Sequence, residues 1–249
     1  MRTFKLTLEY DGAGFKGWQI QKNGERTVQG ELEKACTLIF KHAVKTIASG
    51  RTDSGVHAAG QVVSFKADTR MKPAEIQKAL NSRLPVDIAV LKVQEVAADF
   101  HAQYSAKEKT YRYTILNRSH RSAFLRQRAY FYPHALDVTL MRRAAKALVG
   151  RHDFKSFQAH DPLRVDRDTV RTIKRLLIKK EGGLVYISVT ANGFLYKMVR
   201  NIAGTLIAVG SGQILSKDIS KILKAKNRDL AWDTAPAHGL TLISVKYSS

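Results

Sequence analysis

Residues 50–60 read GRTDSGVHAAG and put an aspartate, a serine and a histidine within five positions of one another. These are the side chains of a hydrolytic triad: a nucleophilic hydroxyl, a base and a carboxylate that orients the base. The spacing argues against that use. A hydrolase serine stands in G-x-S-x-G on a strained strand-to-helix turn, whereas Ser54 lies between Asp53 and Gly55. Triad members also normally converge from distant segments. Asp53 by itself has two readings. An aspartate among glycines often braces a turn through its own backbone, and on motif logic alone that reading prevails. Arg51, two residues earlier, tilts the balance toward chemistry, because a carboxylate exposed to phosphates needs cations to hold it ionised.

The whole chain supports a phosphate-bearing partner. Its 249 residues carry 42 Lys and Arg against 21 Asp and Glu, a net charge of +21. The cations are spread over the full length, so the field favours polyanions: nucleic acid first, an anionic membrane second, with solvated surface as the plain alternative. MRTFKLTLEY alternates rather than forming an apolar leader, and no apolar run approaches the roughly 18 residues that a span needs, so no membrane association is expected. Cys36 is the single cysteine. It falls on the apolar side of a predicted helix, which excludes an intrachain disulfide and points to a reducing, cytoplasmic setting.

Other chemistries find little support. The eight histidines include no HExxH, and one cysteine cannot build a thiolate cage. His152-Asp153 and His160-Asp161 are adjacent pairs without ligand spacing, so neither a metal nor another cofactor is expected. The string GAGFKG, residues 12–17, formally satisfies G-x-G-x-x-G. A dinucleotide site needs the helix to open within the glycines, and here it begins only after the Asn23-Gly24 turn. Those glycines shape a loop that either approaches a ligand or simply turns.

These residues must be positioned by regular elements. Phe4, Leu6, Leu8 and Tyr10 alternate with Thr3, Lys5, Thr7 and Glu9, the pattern of a strand with one buried face. Val28, Leu32, Cys36, Ile39 and Phe40 repeat at helical spacing after Thr27, a plausible N-cap, and predict a helix over 28–41. Strands are expected at 44–48, 61–66 and 88–96, with a helix over 74–82 just after Pro73. Then come a strand at 107–116, a helix at 137–148, strands at 170–179 and 184–190, helices at 194–209 and 216–225, and a strand at 240–247. The order predicts an α+β protein of two similar halves, 1–105 and 106–249, on a central mixed, mainly antiparallel sheet.

Two elements carry further candidates. In the helix near 200, Leu195, Met198, Val199, Ile202, Leu206 and Val209 share one face, and Gly193, Tyr196, Lys197, Arg200 and Gly204 the other. Arg200 therefore points away from the apolar stripe, and Gly204 leaves room for a close approach; a solvated helix face is an equal alternative. On the strand at 107–116, Tyr111 and Tyr113 share a face. They are either core or a base-stacking platform.

Taken together, YDGAGFKGWQIQ, TVQGELEKA, GRTDSGVHA, FHAQYSAKEKTYRY, GRHDFKSF, ANGFLYKMVRNIAG and APAHGLTL, in that order from residue 10 to 240, closely resemble the TruA-type tRNA pseudouridine synthases. The resemblance implies an isomerase with Asp53 as catalytic aspartate, Tyr111 as active-site tyrosine, Arg200 as the aspartate's ionic partner and Arg51 as a helper in the space of the flipped base. Ser54 stands where the family has Ala or Ser, which removes the serine nucleophile. The family's fold implies two ferredoxin-like (RRM-like) halves in a homodimer. The substrate would be the tRNA anticodon stem-loop, at positions 38, 39 and 40, with no cofactor consumed. A non-catalytic RNA-binding module would explain the charge and the tyrosines but not Arg51 beside Asp53, and no RNP1 string is present.

Overall fold

The computed structural model describes residues 1–160 and 168–248. In chain order its elements are β1 (Arg2–Tyr10), α1 (Val28–Phe40), β2 (Thr46–Ala48), β3 (His57–Ala67), α2 (Pro73–Asn81), β4 (Ile88–Val96), β5 (Ala106–Leu116), β6 (Tyr130–Phe131), α3 (Val138–Lys146), β7 (Gly150–Asp153), β8 (Val170–Glu181), β9 (Leu184–Ala191), α4 (Met198–Gly210), α5 (Ile219–Ala225) and β10 (Leu240–Tyr247). The protein is of mixed α+β type. It divides into two compact units, Met1–Lys107 with Thr241–Ser249, and Glu108–Leu240.

In the first unit β4, β1, β3 and β10 lie side by side in that order, and β2 also pairs with β3. The β1 alternation is realised: Phe4, Leu6, Leu8 and Tyr10 are buried, with Phe4 opposite Phe65 and Leu6 opposite Val63 on antiparallel β3. Leu32 and Cys36 of α1 and Ile76 and Leu80 of α2 complete this core. Thr27 caps α1, its hydroxyl accepting the Gly30 amide at 3.2 Å. Pro73 opens α2, where its missing N–H costs nothing. The Cys36 thiol is buried, which pushes it up to about 12 and keeps it protonated.

In the second unit β5, β9, β8 and β7 form an antiparallel sheet, and β6 runs parallel beside β5. Ile173, Ile187, Val189, Met141, Leu148, Ile202 and Leu206 lie in its core.

Three expectations need correction. β3 begins at His57 rather than at 61, because His57 and Ala58 pair with Thr241 and Leu242 of β10, a partner that local pattern does not reveal. α4 begins at Met198 rather than at 194, because Lys197 takes the left-handed conformation at φ 55°, which a right-handed helix cannot contain. Nor does α4 keep a solvated face: every residue from Met198 to Gly210 is buried except Arg200. β6, β7 and the short 3-10 turn Lys155–Phe157 had no counterpart among the expected elements.

Candidate active site

The turn carrying Asp53 leads from the end of β2 to the start of β3. The segment after β1 cradles it. Trp18 donates its amide to the Thr52 carbonyl (3.0 Å), Gly55 donates to the Phe15 carbonyl (3.3 Å), and Val56 closes the turn onto the Asp53 carbonyl (3.1 Å). Gln61 Nε2 anchors the entrance by donating to the Gly50 carbonyl at 2.8 Å. The Tyr10 hydroxyl and Thr52 Oγ1 share a buried hydrogen bond of 2.8 Å, and burial pushes the phenol up to about 12, so it stays neutral. Gly12 lets the two segments cross: a Cβ there would stand 2.0 Å from the Val56 carbonyl oxygen. The result is a half-buried Asp53 on a turn fixed mainly through its backbone, with Arg51 exposed beside it.

Ser54 and His57 have structural duties on this turn. The Ser54 hydroxyl donates to the Phe15 carbonyl at 3.2 Å, so its proton is already committed to an acceptor other than a base. His57 is 5% exposed, and its Nδ1 accepts the Gly12 amide at 3.0 Å. Asp11 Oδ1, 3.1 Å from that nitrogen, accepts the Ala13 amide at 3.0 Å and caps the short turn that follows. The GAGFKG string therefore opens no nucleotide-binding helix; its first glycines form a 3-10 turn, Gly12–Gly14, that buttresses the aspartate turn. Among the described residues no group of three or more His, Cys, Asp or Glu side chains is placed to hold a metal ion. His160 is described but Asp161 lies outside the described residues.

The other two candidates belong to the second unit. Tyr111 lies on β5 opposite Val189 of β9. It is 8% exposed, and its ring meets Phe194 edge to face with centroids 5.2 Å apart. Tyr113, two residues on, is fully buried and donates its hydroxyl to the Pro236 carbonyl at 2.9 Å. Burial raises its pKa, opposed in part by the Arg200 charge. Lys109 shares this face of the strand. Burial, and after it the Arg171 charge, pushes its ammonium down to about 8.

Arg200 is the one residue of α4 that is not buried. Its Nε donates to the Ala235 carbonyl at 2.8 Å, and the Ala235 amide returns a bond to the Arg200 carbonyl at 3.2 Å. The space that Gly204 was expected to leave is filled by this chain itself: a Cβ there would stand 1.9 Å from the Asp233 carbonyl oxygen. Asp53 and Arg51 are thus features of the first unit, and Tyr111 and Arg200 of the second. The sequence alone does not single out Phe194 beside Tyr111 or the segment 228–236 around Arg200. The only signal was that ANGFLYKMVRNIAG and APAHGLTL stood among the matched strings.

A chain of charge +21 suits a polyanionic partner. Comparison with known proteins narrows this. The family described as tRNA pseudouridine synthase matches residues 7–105 and 144–248. A protein from Caldicellulosiruptor bescii named tRNA pseudouridine synthase A is 44% identical over 247 residues, 99% of this chain and all of that protein. Relatives of the same name from Halalkalibacterium halodurans and Bacillus pumilus are each 47% identical, over 96% and 98% of this chain and 90% and 99% of theirs. The chain belongs to the tRNA pseudouridine synthase family, whose members are isomerases.

Proposed function

We propose that this protein isomerises uridine to pseudouridine at positions 38, 39 and 40 of the tRNA anticodon stem-loop, with Asp53 as its catalytic carboxylate. The match to the family along both units carries this reading, and the backbone-locked turn around Asp53 supports it. In the reaction the C1′–N1 glycosidic bond breaks, the uracil turns in place, C5 joins C1′, and the proton on C5 is lost while N1 gains one. The atoms of the substrate balance without an oxidant, a reductant or a co-substrate. Asp53 initiates glycosidic cleavage and must be ionised to do so. Arg200 serves as the aspartate's ionic partner.

Tyr111 stacks on the uracil and takes part in removing the C5 proton. Arg51 occupies the space that the everted base leaves, which offsets part of the few kcal/mol that unstacking costs. The positive surface holds the tRNA through phosphate and shape contacts, as a substrate with several target uridines requires.

Each unit is a ferredoxin-like half in this reading. The order β4, β1, β3, β2 with α1 and α2 as crossovers supports it for the first unit. The protein works as a homodimer in the cytoplasm. Incubating the purified chain with an unmodified tRNA transcript and mapping pseudouridine tests the reading. Product at 38, 39 or 40 is expected; full-length transcript bound but unconverted at all three would overturn it.

A further inference from the structure

The segment 232–235 runs antiparallel to α4 in strict register with it. The Trp232 amide donates to Thr205 Oγ1 at 3.2 Å, the Asp233 carbonyl lies over Gly204, Thr234 Oγ1 donates to Asn201 Oδ1 at 2.6 Å, and Ala235 exchanges bonds with Arg200. Two neighbours on the helix, Arg200 and Asn201, are thereby clasped to two neighbours on the segment, Ala235 and Thr234.

Asn201 is the hub of this clasp. It is fully buried. Its Oδ1 also accepts Arg228 Nη2 at 3.2 Å, and its Nδ2 donates to the Phe157 carbonyl at 2.8 Å. Arg228 in turn donates to Thr234 Oγ1 at 3.2 Å and to the Ala231 carbonyl at 2.9 Å. These partners fix the amide orientation, because two donors face Oδ1 and one acceptor faces Nδ2. An aspartate would oppose the Phe157 carbonyl, and an aliphatic residue would strand both sets of partners in a buried network.

The guanidinium is a rigid planar fork, so holding its Nε on one carbonyl sets the direction of the remaining donors. The position of that carbonyl is set one residue away, by Thr234 on Asn201. We propose that Asn201, Thr234 and Arg228 are positioning residues for the reaction, acting through the Ala235 carbonyl to aim the Arg200 guanidinium. This rests on the reading that Arg200 serves catalysis. It assigns a task to Asn201 within ANGFLYKMVRNIAG and to Thr234 directly before APAHGLTL, beyond their contribution to packing.

The test is a double-mutant cycle read as single-turnover rate and tRNA affinity. Thr234→Val removes the hydroxyl at nearly constant shape, and Thr234→Ser restores it. Because displacement of a catalytic group by about 1 Å can cost on the order of 100-fold, Thr234→Val is expected to slow turnover by about tenfold or more. tRNA affinity should stay within about twofold, and Thr234→Ser should recover most of the rate. In an Arg200→Lys background, itself slow, Thr234→Val should cost less than about twofold further.

An equal loss in both backgrounds, a loss carried by affinity instead of rate, or no loss at all would overturn the positioning role while leaving Arg200's own role intact. Wild-type turnover by Arg200→Lys would instead remove the reading on which the inference stands, and the inference with it. If Thr234→Val does not yield folded protein, Arg228→Lys, which keeps the charge but loses the forked contact, carries the same cycle with the same outcomes.

Discussion

The turn around Asp53 and the helix around Arg200 solve one problem in different ways. Each must hold a charged side chain still, and each does so where another segment crosses at a glycine, Gly12 over the Val56 carbonyl and Gly204 under the Asp233 carbonyl. The aspartate turn is secured chiefly by main-chain bonds, from Trp18 to Thr52, from Gly55 to Phe15 and from Val56 to Asp53. The arginine is secured by the Ala235 backbone, and the segment that carries Ala235 is fastened to α4 through side chains, with Asn201, Thr234 and Arg228 at the centre. Backbone bonds are indifferent to side-chain identity, so the first arrangement tolerates substitution at most positions except its glycines: Gly12 at the crossing, and Gly17 and Gly55, which hold positive φ. The second depends on particular donors and acceptors and is exposed to single substitutions at several places.

The sharpest way to break the comparison is at the two crossings. Gly12→Ala and Gly204→Ala should each destabilise their unit by more than about 3 kcal/mol, since a methyl group would overlap a backbone oxygen that cannot rotate away. For Gly204→Ala the gain of about 1 kcal/mol in helix propensity is too small to compensate. Denaturant unfolding of each variant measures this; wild-type stability in either would mean that its crossing is not the constraint described.

A smaller effect is expected at Lys109, on the strand that carries Tyr111. Its folded pKa of about 8 lies below the ordinary lysine value of 10.5, so between those values the unfolded chain binds more protons, and stability rises with pH across that window. The burden is fully present below about pH 8 and amounts to at most about 3 kcal/mol. Lys109→Met should therefore raise the melting temperature at pH 7, with the advantage fading as pH approaches 10.5. A constant advantage at all pH values would show packing, and not charge, to be its source.

The smallest effect is expected at Ser54. Ser54→Ala removes one bond to the Phe15 carbonyl, which keeps the Gly55 amide, so stability should fall by no more than about 1 kcal/mol and turnover should stay within about twofold. Loss of turnover in a folded Ser54→Ala variant would return the hydroxyl to the chemistry and undo the claim that backbone governs this turn.

What could be read in the sequence follows the same division. β1, α1 and α2 were legible because alternation, the Thr27 cap and Pro73 are local signals that act within one turn or one strand. The start of β3 was not, because it is set by pairing with β10, nearly two hundred residues later in the chain. The pattern of α4 showed its inward stripe but not its burial on the opposite side, since the covering segment, WDTA, has no periodicity of its own. Asp53 stood out through its neighbours Arg51, Gly50 and Gly55. The clasp at Asn201 did not, because an asparagine in a helix announces neither partners nor burial until the segment that meets it is in place.

The proposed function stands on Asp53, whose carboxylate initiates the chemistry with Tyr111 and Arg200 assisting it while the positive surface holds the RNA. Asp53→Asn keeps the size of the side chain and removes its charge, so the direct measurement pairs tRNA affinity with tritium release from C5-labelled uridine in the same preparation. The account predicts affinity close to that of the wild type and no tritium release. Release within about tenfold of the wild type, a difference of only about 1.4 kcal/mol in the barrier, would contradict it.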